Sequence, residues 1–466
     1  MVAVAERTIV NDVHSQLNAT SVEAVLRPRS IEELQGIVLA ARERRAKVSV
    51  TGGRHSMGGQ QFGDATVLVD MTAMDRILSF DEGAGLVTVE AGIMWPAVID
   101  GLIQRQTGHL LQWGIVQKQT GADRLTIGGS LGANIHGRGL SLRPFVDDVE
   151  AFTLVDADGC VRRCSRQEHA DLFRLAIGGY GLFGLVATVT LRLRPRRKIE
   201  RRVGAQTTDG LMARFDRRIG DGFEFGDFQF AIDPASLGFL HAGVCSCYRP
   251  VASDVEIPDG QRELGARGWR ELVRLAHEDK RRAFDLYAHH YLATEGQVYW
   301  SDTHQLAEYL DDYHAALDGG GPDRATEMIG EVYVPRAAFE AFFQDIRDDF
   351  RRNDVNLIYG TVRLIERDEE TFLAWAKNRW ACVVVNLHTE HTPEGIARSA
   401  DDFRRLIDHA RRYGGSYYLT YHRWARRDQV EACYPQIREF LRLKREHDPD
   451  ERFESDWYRH YRAMFA

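Results

Sequence analysis

"TGGRHSMGGQ", residues 51–60, holds four glycines, one histidine and one serine in ten positions. Glycine suits a backbone that turns sharply or lies against a neighbouring group. An imidazole carried in such a turn, His55, calls for a reason. The residues before it read as a helix and then a strand. Ser30 and Glu33 stand at capping-box spacing, hydroxyl and carboxylate each expected to satisfy a free backbone N–H. Ile31, Leu34, Ile37, Val38 and Ala41 recur at helical spacing, and arginines crowd the helix end, as its dipole favours. "KVSV" (47–50) alternates as a short strand and runs into the glycine turn.

A second glycine-rich stretch, "TGADRLTIGGSLGANIHGRG" (120–139), has six glycines and another histidine, His136. Between the two, "ATVLVDMTAMDRILSFDEGAGLVTVEAG" (65–92) reads as short strands, with Val87 and Val89 on one face of the last. "DDVEAFTLVDADGCVRRCS" (147–165) reads as a hairpin turning at Asp158-Gly159. "HADLFRLAIGGYGLFGLVATVTLRLRP" (169–195) reads as a helix, a glycine turn and a strand that Pro195 ends. Neither glycine stretch has the G-x-G-x-x-G of a Rossmann site or the GK[ST] of a P-loop. Glycine amides nevertheless approach phosphate oxygens closely. Two readings follow: paired loops that clamp one long diphosphate cofactor, or tight turns in a β-rich domain. The histidine in each loop favours the first.

From about residue 200 the texture changes. Strand-like runs at 223–233, 327–335, 355–365 and 380–388 alternate with charged helical runs at 337–352 and 397–414. This pattern predicts helices packed on one antiparallel sheet. Residues 250–325 are polar with weak periodicity, loosest at "LDGGGPDRA" (317–325), and are expected to form a mobile lid.

Composition bounds the rest. With 466 residues and 44% hydrophobic content, the chain has room for two domains with their own cores. A net charge of -8 argues against non-specific nucleic-acid binding. The basic run "LRLRPRRKIERR" (191–202) reads as solvated surface or linker. The six cysteines lack zinc spacing, and the first residues lack an apolar signal region. No stretch has the length to span a bilayer, and a cytoplasmic protein is expected. In "NLHTEH" (386–391), His388 and Glu390 share a strand face, but the sequence places no third ligand beside them, so no metal is expected.

The P-x-S-x-E-E helix start, the strand and "GGRHS" resemble the FAD-binding domain of the vanillyl-alcohol oxidase and p-cresol methylhydroxylase (PCMH) superfamily. "HSMGGQ" is similar to the H-S-x-x-G-Q of cytokinin dehydrogenases. "LTIGGSLGANIHGRG" (125–139), "VDADG" (155–159), "DLFRLAIGGYGLFGLV" (171–186) and "YPQIREFLRLKREHDPDERFESD" (434–456) resemble the decaprenylphosphoryl-β-D-ribose oxidase family and its sugar-oxidising relatives. Aldonolactone and alditol oxidases share the HG-x-G element. The resemblance covers residues 25–195 and 415–460 with specific motifs and the middle only loosely.

The resemblance implies FAD, attached covalently through His55 at the flavin 8α carbon, a bond that raises the ring's reduction potential. It implies that Gly52, Gly53, Arg54, Ser56 and Gly59 wrap the pyrophosphate. Thr120, Gly121, Thr126, Ile127, Gly128, Gly129, Asn134, Ile135 and His136 should follow the cofactor, with Val186 on its adenine side. His136 has two open readings, a flavin or substrate anchor and a buried structural histidine. Ile135 stands where lactone oxidoreductases gate oxygen access, which favours a dehydrogenase or a slow oxidase. The chain departs from the ribose-oxidase group at three points. That group has arginine where His55 sits; its catalytic lysine falls on Tyr421, three residues after the FAD-contacting Tyr418; and its pocket lysine is replaced by Arg363.

On the substrate side, alternation puts Glu331 and Tyr333 on one strand face and Tyr359, Thr361 and Arg363 on another. Glu331 is expected to have a raised pKa in a closed pocket and to act as base, with Tyr421 and His422 as alternatives. The competing reading for each is a solvent-facing edge charge.

The fold expected is α+β: a PCMH-type FAD-binding domain from residues 1–200 plus 415–466, and a helix-covered antiparallel-sheet substrate domain at 201–414. The chemistry expected is oxidation of an alcohol on a sugar, polyol or related polar molecule by hydride transfer to flavin N5, with oxygen, quinone or another electron acceptor. An NADPH-dependent reductase, an aromatic-substrate oxidase using Trp300, Tyr299 and Tyr333, and a non-catalytic flavin-binding protein are the alternatives.

Overall fold

A computed structural model describes residues 7–307 and 324–466. Strand Val48–Thr51, buried and β-branched, pairs in parallel with Val67–Asp70, which is itself parallel to Ala24–Leu26. Parallel neighbours need a crossover, and helix Ile31–Glu43 supplies one. Ser30 caps that helix by accepting from the Glu33 N–H. The Glu33 carboxylate, however, accepts from the Arg29 N–H and not from Ser30, so the return arm of the expected capping box is displaced by one residue. Leu34, Val38 and Ala41 pack on Val48 and Val69 below and on Val155, Leu185 and Ala187 of a second sheet. Each fully buried Leu or Val there stabilises by roughly 1.5–3 kcal/mol.

The second sheet has five antiparallel strands in the order Val161–Ser165, Val149–Val155, Leu185–Arg192, Leu86–Glu90, Ile77–Asp81. Its first hairpin turns through Gly159 at φ +81°. A third sheet has eight strands, antiparallel at every pairing: Val298–Trp300, Lys198–Thr207, Ala242–Pro250, Phe225–Phe230, Leu357–Ile365, Trp380–Glu390, Ala325–Pro335 and Ser416–Tyr417. Helices Phe339–Arg352 and Pro393–Arg412 cover one face, and a Cβ on Gly330 would meet Phe403 of the second helix. Alternation therefore turns Glu327, Ile329 and Glu331 to the opposite face.

Of the stretch expected as a lid, residues 308–323 lie outside the described residues. The part before them contains helices Ala266–Glu278 and Lys280–Leu292, which pack on the sheet through Leu272 and Tyr287. The chain end binds the two regions together. Ser416–Tyr417 joins the edge of the eight-stranded sheet, and Phe453 then bridges Val48 of the parallel sheet. The six cysteines are free, and no helix among the described residues is long and apolar enough to cross a membrane.

Candidate active site

The two glycine loops touch each other. A Cβ on Gly52 would lie 2.1 Å from Thr126 Oγ1, and one on Gly53 would lie 2.0 Å from the Arg124 carbonyl oxygen. Only glycine permits that approach. The joined loops open on a cleft lined by residues of both stretches.

Helix Ile127–Ala133 forms one wall, and it contains Gly128, Gly129 and Gly132. Gly128 is explained by contact, since its Cβ would lie 2.9 Å from Ala91. Gly129 is almost as tight, its Cβ 3.0 Å from the Thr126 hydroxyl, but Gly132 is not crowded, with nothing nearer than 4.0 Å. A glycine inside a helix costs about 1 kcal/mol relative to alanine. A bare wall facing the cleft is what this cost secures, and it fits a flat group lying against the backbone. FAD fits these residues.

Of the expected cofactor residues, Gly52, Gly53, Arg54, His55, Ser56, Thr120, Gly121, Thr126, Gly128, Gly129, Ile135, Val186 and Tyr418 line the cleft. Gly59, Ile127, Asn134 and His136 are absent from its lining and support it from behind. Gly59 adopts φ +74° and its carbonyl accepts from the Trp457 N–H. Ile127 donates its N–H to the Ile93 carbonyl. Asn134 ends the glycine helix in the left-handed region, where its side chain accepts from the Val146 N–H and donates to Asp368.

His55 lies in the cleft wall with Nδ1 2.8 Å from His14 Nε2. Burial, followed by repulsion from His14, holds its pKa well below the usual 6.5. The ring is therefore neutral near pH 7 and keeps a lone pair.

Across the cleft, Glu331 is the hub of a buried network. Its Oε1 accepts from Tyr421 at 2.7 Å. Its Oε2 lies 2.8 Å from His136 Nε2 and accepts from Tyr333 at 3.0 Å. His136 Nδ1 lies 3.0 Å from the Gly137 carbonyl. Both His136 nitrogens thus face acceptor oxygens. The pKa expected for Glu331 needs correction. Burial does push it up, but His136, the Tyr421 hydroxyl and Arg363 outweigh burial, and it settles at about 2. Glu331 is an ionised, fully satisfied carboxylate rather than a carboxyl poised near neutrality. Tyr421 alone of this network reaches the cleft, and burial beside Glu331 pushes its own pKa well up.

His422 is buried among Phe403, Tyr417 and Trp424, where burial lowers its pKa to about 3, and it is not part of the cleft lining. Arg363 sits on the same sheet face as Glu331, fully buried and charged, with Nε and Nη1 lacking hydrogen-bond partners among the described residues. The aromatic trio does not assemble. Tyr333 stacks on Trp375, while Trp300 lies under Arg196 at the far edge strand.

Sequence reasoning missed several residues. His14 carries no motif, and only folding brings it to His55. Lys118, wholly buried, pairs with Asp123 at 2.5 Å and donates to the Gln305 carbonyl at 3.0 Å, which fixes the loop bearing Thr120 and Gly121. Trp375 packs against both His136 and Tyr418. The pairing of His136 with Glu331 spans 195 positions, and no local pattern encodes it.

A family model described as an FAD binding domain matches residues 22–165, which run from the first strands through the five-stranded sheet's hairpin. The chain is 27% identical over 443 residues to L-gulono-1,4-lactone dehydrogenase of Mycobacterium tuberculosis, covering 94% of this chain and 95% of the relative. It is 25% identical to decaprenylphosphoryl-beta-D-ribose oxidase of Mycolicibacterium smegmatis, with 96% of each covered. L-gulonolactone oxidase of Mus musculus is 33% identical over 177 residues, 38% of each chain.

Proposed function

With the chain an FAD-linked oxidoreductase of the vanillyl-alcohol oxidase and p-cresol methylhydroxylase superfamily, we propose that it oxidises a CH–OH group of a sugar, aldonolactone or polyol. Residues 1–200 with 415–466 hold the cofactor, and 201–414 hold the substrate. The bound flavin supplies a hydride acceptor.

The observation that carries this reading is the Tyr421–Glu331 hydrogen bond at the cleft wall. Tyr421 donates its proton to an anion, so its oxygen lone pairs are free to accept from a substrate hydroxyl. The substrate proton then passes to Tyr421 as the tyrosine proton passes to Glu331 Oε1. A carboxylate with a pKa of about 2 is a feeble base toward a neutral alcohol. It suffices once the hydride has left, because the remaining protonated carbonyl is a far stronger acid. The order is therefore carbon–hydrogen cleavage first, with the proton following. His136 and Tyr333 hold Glu331 in place, and Arg363 offers two donors to further substrate oxygens.

His55 is the proposed covalent anchor. A neutral imidazole is the form able to bond the flavin 8α carbon, and His14 stands within reach of its second nitrogen to hold the proton. In the cleft lining, Ile135 is a bulky neighbour that favours an acceptor other than oxygen.

Anaerobic mixing with aldonolactones, polyols, phenols and NADPH separates the readings. Flavin bleaching by a member of the first two groups supports this function. Bleaching by NADPH or phenols alone overturns it. Acid precipitation tests the anchor separately: yellow colour stays in the pellet if His55 is bonded and washes out if it is not.

A further inference from the structure

On the sheet face that carries Glu331, further along the strand, three side chains converge from three elements. His277 comes from helix Ala266–Glu278, Glu327 from strand Ala325–Pro335 and His388 from strand Trp380–Glu390. Glu327 and His388 are cross-strand partners, so the sheet register itself sets them side by side. His277 Nε2 lies 2.9 Å from Glu327 Oε1, and the two imidazole centroids are 5.1 Å apart at an interplanar angle of 78°. One ligating atom from each residue lies within 4.8 Å of the other two. We propose that His277, Glu327 and His388 bind one divalent transition-metal ion, with Zn²⁺ the ion best matched to the donors.

Two imidazoles and one carboxylate are a donor set that zinc takes, at about 2.0–2.2 Å per ligand with a fourth position left to water. Glu327 is only 3% exposed, and its carboxylate supplies the negative charge an ion needs. His388 Nδ1 is buried with no hydrogen-bond partner among the described residues. Lys280, on the neighbouring helix, directs its ammonium elsewhere, to Asn356 Oδ1 at 2.9 Å and the Ala276 carbonyl at 3.1 Å.

The second carboxylate-containing cluster, His136, Glu331 and Cys382, differs in holding a thiol. The location gives the ion a role. Glu327 and Asn386 line a second cavity between the sheet and helices Ala266–Glu278 and Lys280–Leu292. Asn386 pairs across strands with Ile329, which lines the cofactor cleft. An ion at this triad ties the covering helix to the two strands that position Glu331. Neither the flavin anchor nor the Tyr421 relay enters this argument.

The test uses the full-length flavoprotein, stripped with EDTA and titrated with Zn²⁺ alone. Wild type should bind one Zn²⁺ per chain and melt at a higher temperature with it. His277→Ala and the shape-preserving Glu327→Gln should each weaken binding by more than the roughly 10–100-fold that second-shell changes cost, with the flavin spectrum unchanged. X-ray absorption should show only nitrogen and oxygen neighbours. Zinc binding that survives both substitutions, absent binding in wild type, or a sulfur neighbour at about 2.3 Å would each overturn the site.

Discussion

The cofactor cleft and the substrate-side sheet face are built by opposite strategies. The cleft is made of backbone. Its key residues are glycines clustered in two stretches, and what they contribute is the absence of a side chain: the loops meet only because Gly52 and Gly53 have no Cβ. The sheet face is made of side chains held by other side chains. Glu331 there depends on its strand neighbour Tyr333 and on His136 and Tyr421, which lie far from it in the chain. Substitutions should therefore fail differently on the two sides. The cleft should lose its ligand while the fold survives, whereas the network should lose stability and turnover together.

Glu331→Gln should give the greatest loss. It removes the buried carboxylate that His136, Tyr333 and Tyr421 all face, and breaking a buried charged network of this kind costs about 3–5 kcal/mol. Urea unfolding at pH 7 measures it. The same variant carries a pH signature. The Glu331 carboxylate sits at about 2 in the folded chain against an ordinary 4.5. A depressed folded pKa stabilises above the unfolded value and loses that contribution as pH falls toward the folded one. The gap between wild type and Glu331→Gln should thus be full above pH 4.5 and narrow toward pH 2.

Tyr421→Phe comes next. Removing the acceptor for a substrate hydroxyl that gains positive charge as the hydride leaves, a charge-assisted hydrogen bond of about 1.5–3 kcal/mol, should slow flavin reduction roughly 10–100-fold, measured by stopped flow. Because Glu331 Oε1 loses its donor, stability should also fall by about 1–3 kcal/mol.

Gly53→Ala forces a Cβ to 2.0 Å from a backbone carbonyl, which cannot swing aside. The strain is about 1–3 kcal/mol, and the purified protein should carry little flavin, read from its visible absorbance. Gly132→Ala is the mildest and the most telling. Nothing crowds its Cβ closer than 4.0 Å, so the helix should gain up to about 1 kcal/mol while flavin affinity falls. Unchanged flavin binding in this variant would mean the bare wall has another cause.

The same contrast explains which features could be read before folding. Contiguous glycines, the helix before them and the strand entering them are local, and so is the alternation that set Glu331 beside Tyr333. Four strands of the eight-stranded sheet were also readable, because Phe225–Phe230, Ala325–Pro335, Leu357–Ile365 and Trp380–Glu390 carry their own pattern, whereas Lys198–Thr207 begins in the basic run that reads as surface or linker. What could not be read depends on distance. The pKa of Glu331 has its sign set by His136 and Tyr421, which no window around residue 331 contains. The metal triad shows this again: His388 stood out in its own hexapeptide, but its partners are Glu327 across the register and His277 on a covering helix. His14 has no pattern at all, since a lone histidine near the start acquires meaning only beside His55.

The central claim is that the substrate hydroxyl lies on Tyr421 and that carbon–hydrogen cleavage leads. It is tested most directly by anaerobic flavin reduction with an aldonolactone deuterated at the reacting carbon. Wild type should show a large primary isotope effect and little solvent effect in D₂O, with Tyr421→Phe slowed roughly 10–100-fold by loss of a charge-assisted hydrogen bond. Reduction in Tyr421→Phe at the wild-type rate, or a solvent effect larger than the carbon one, would contradict it.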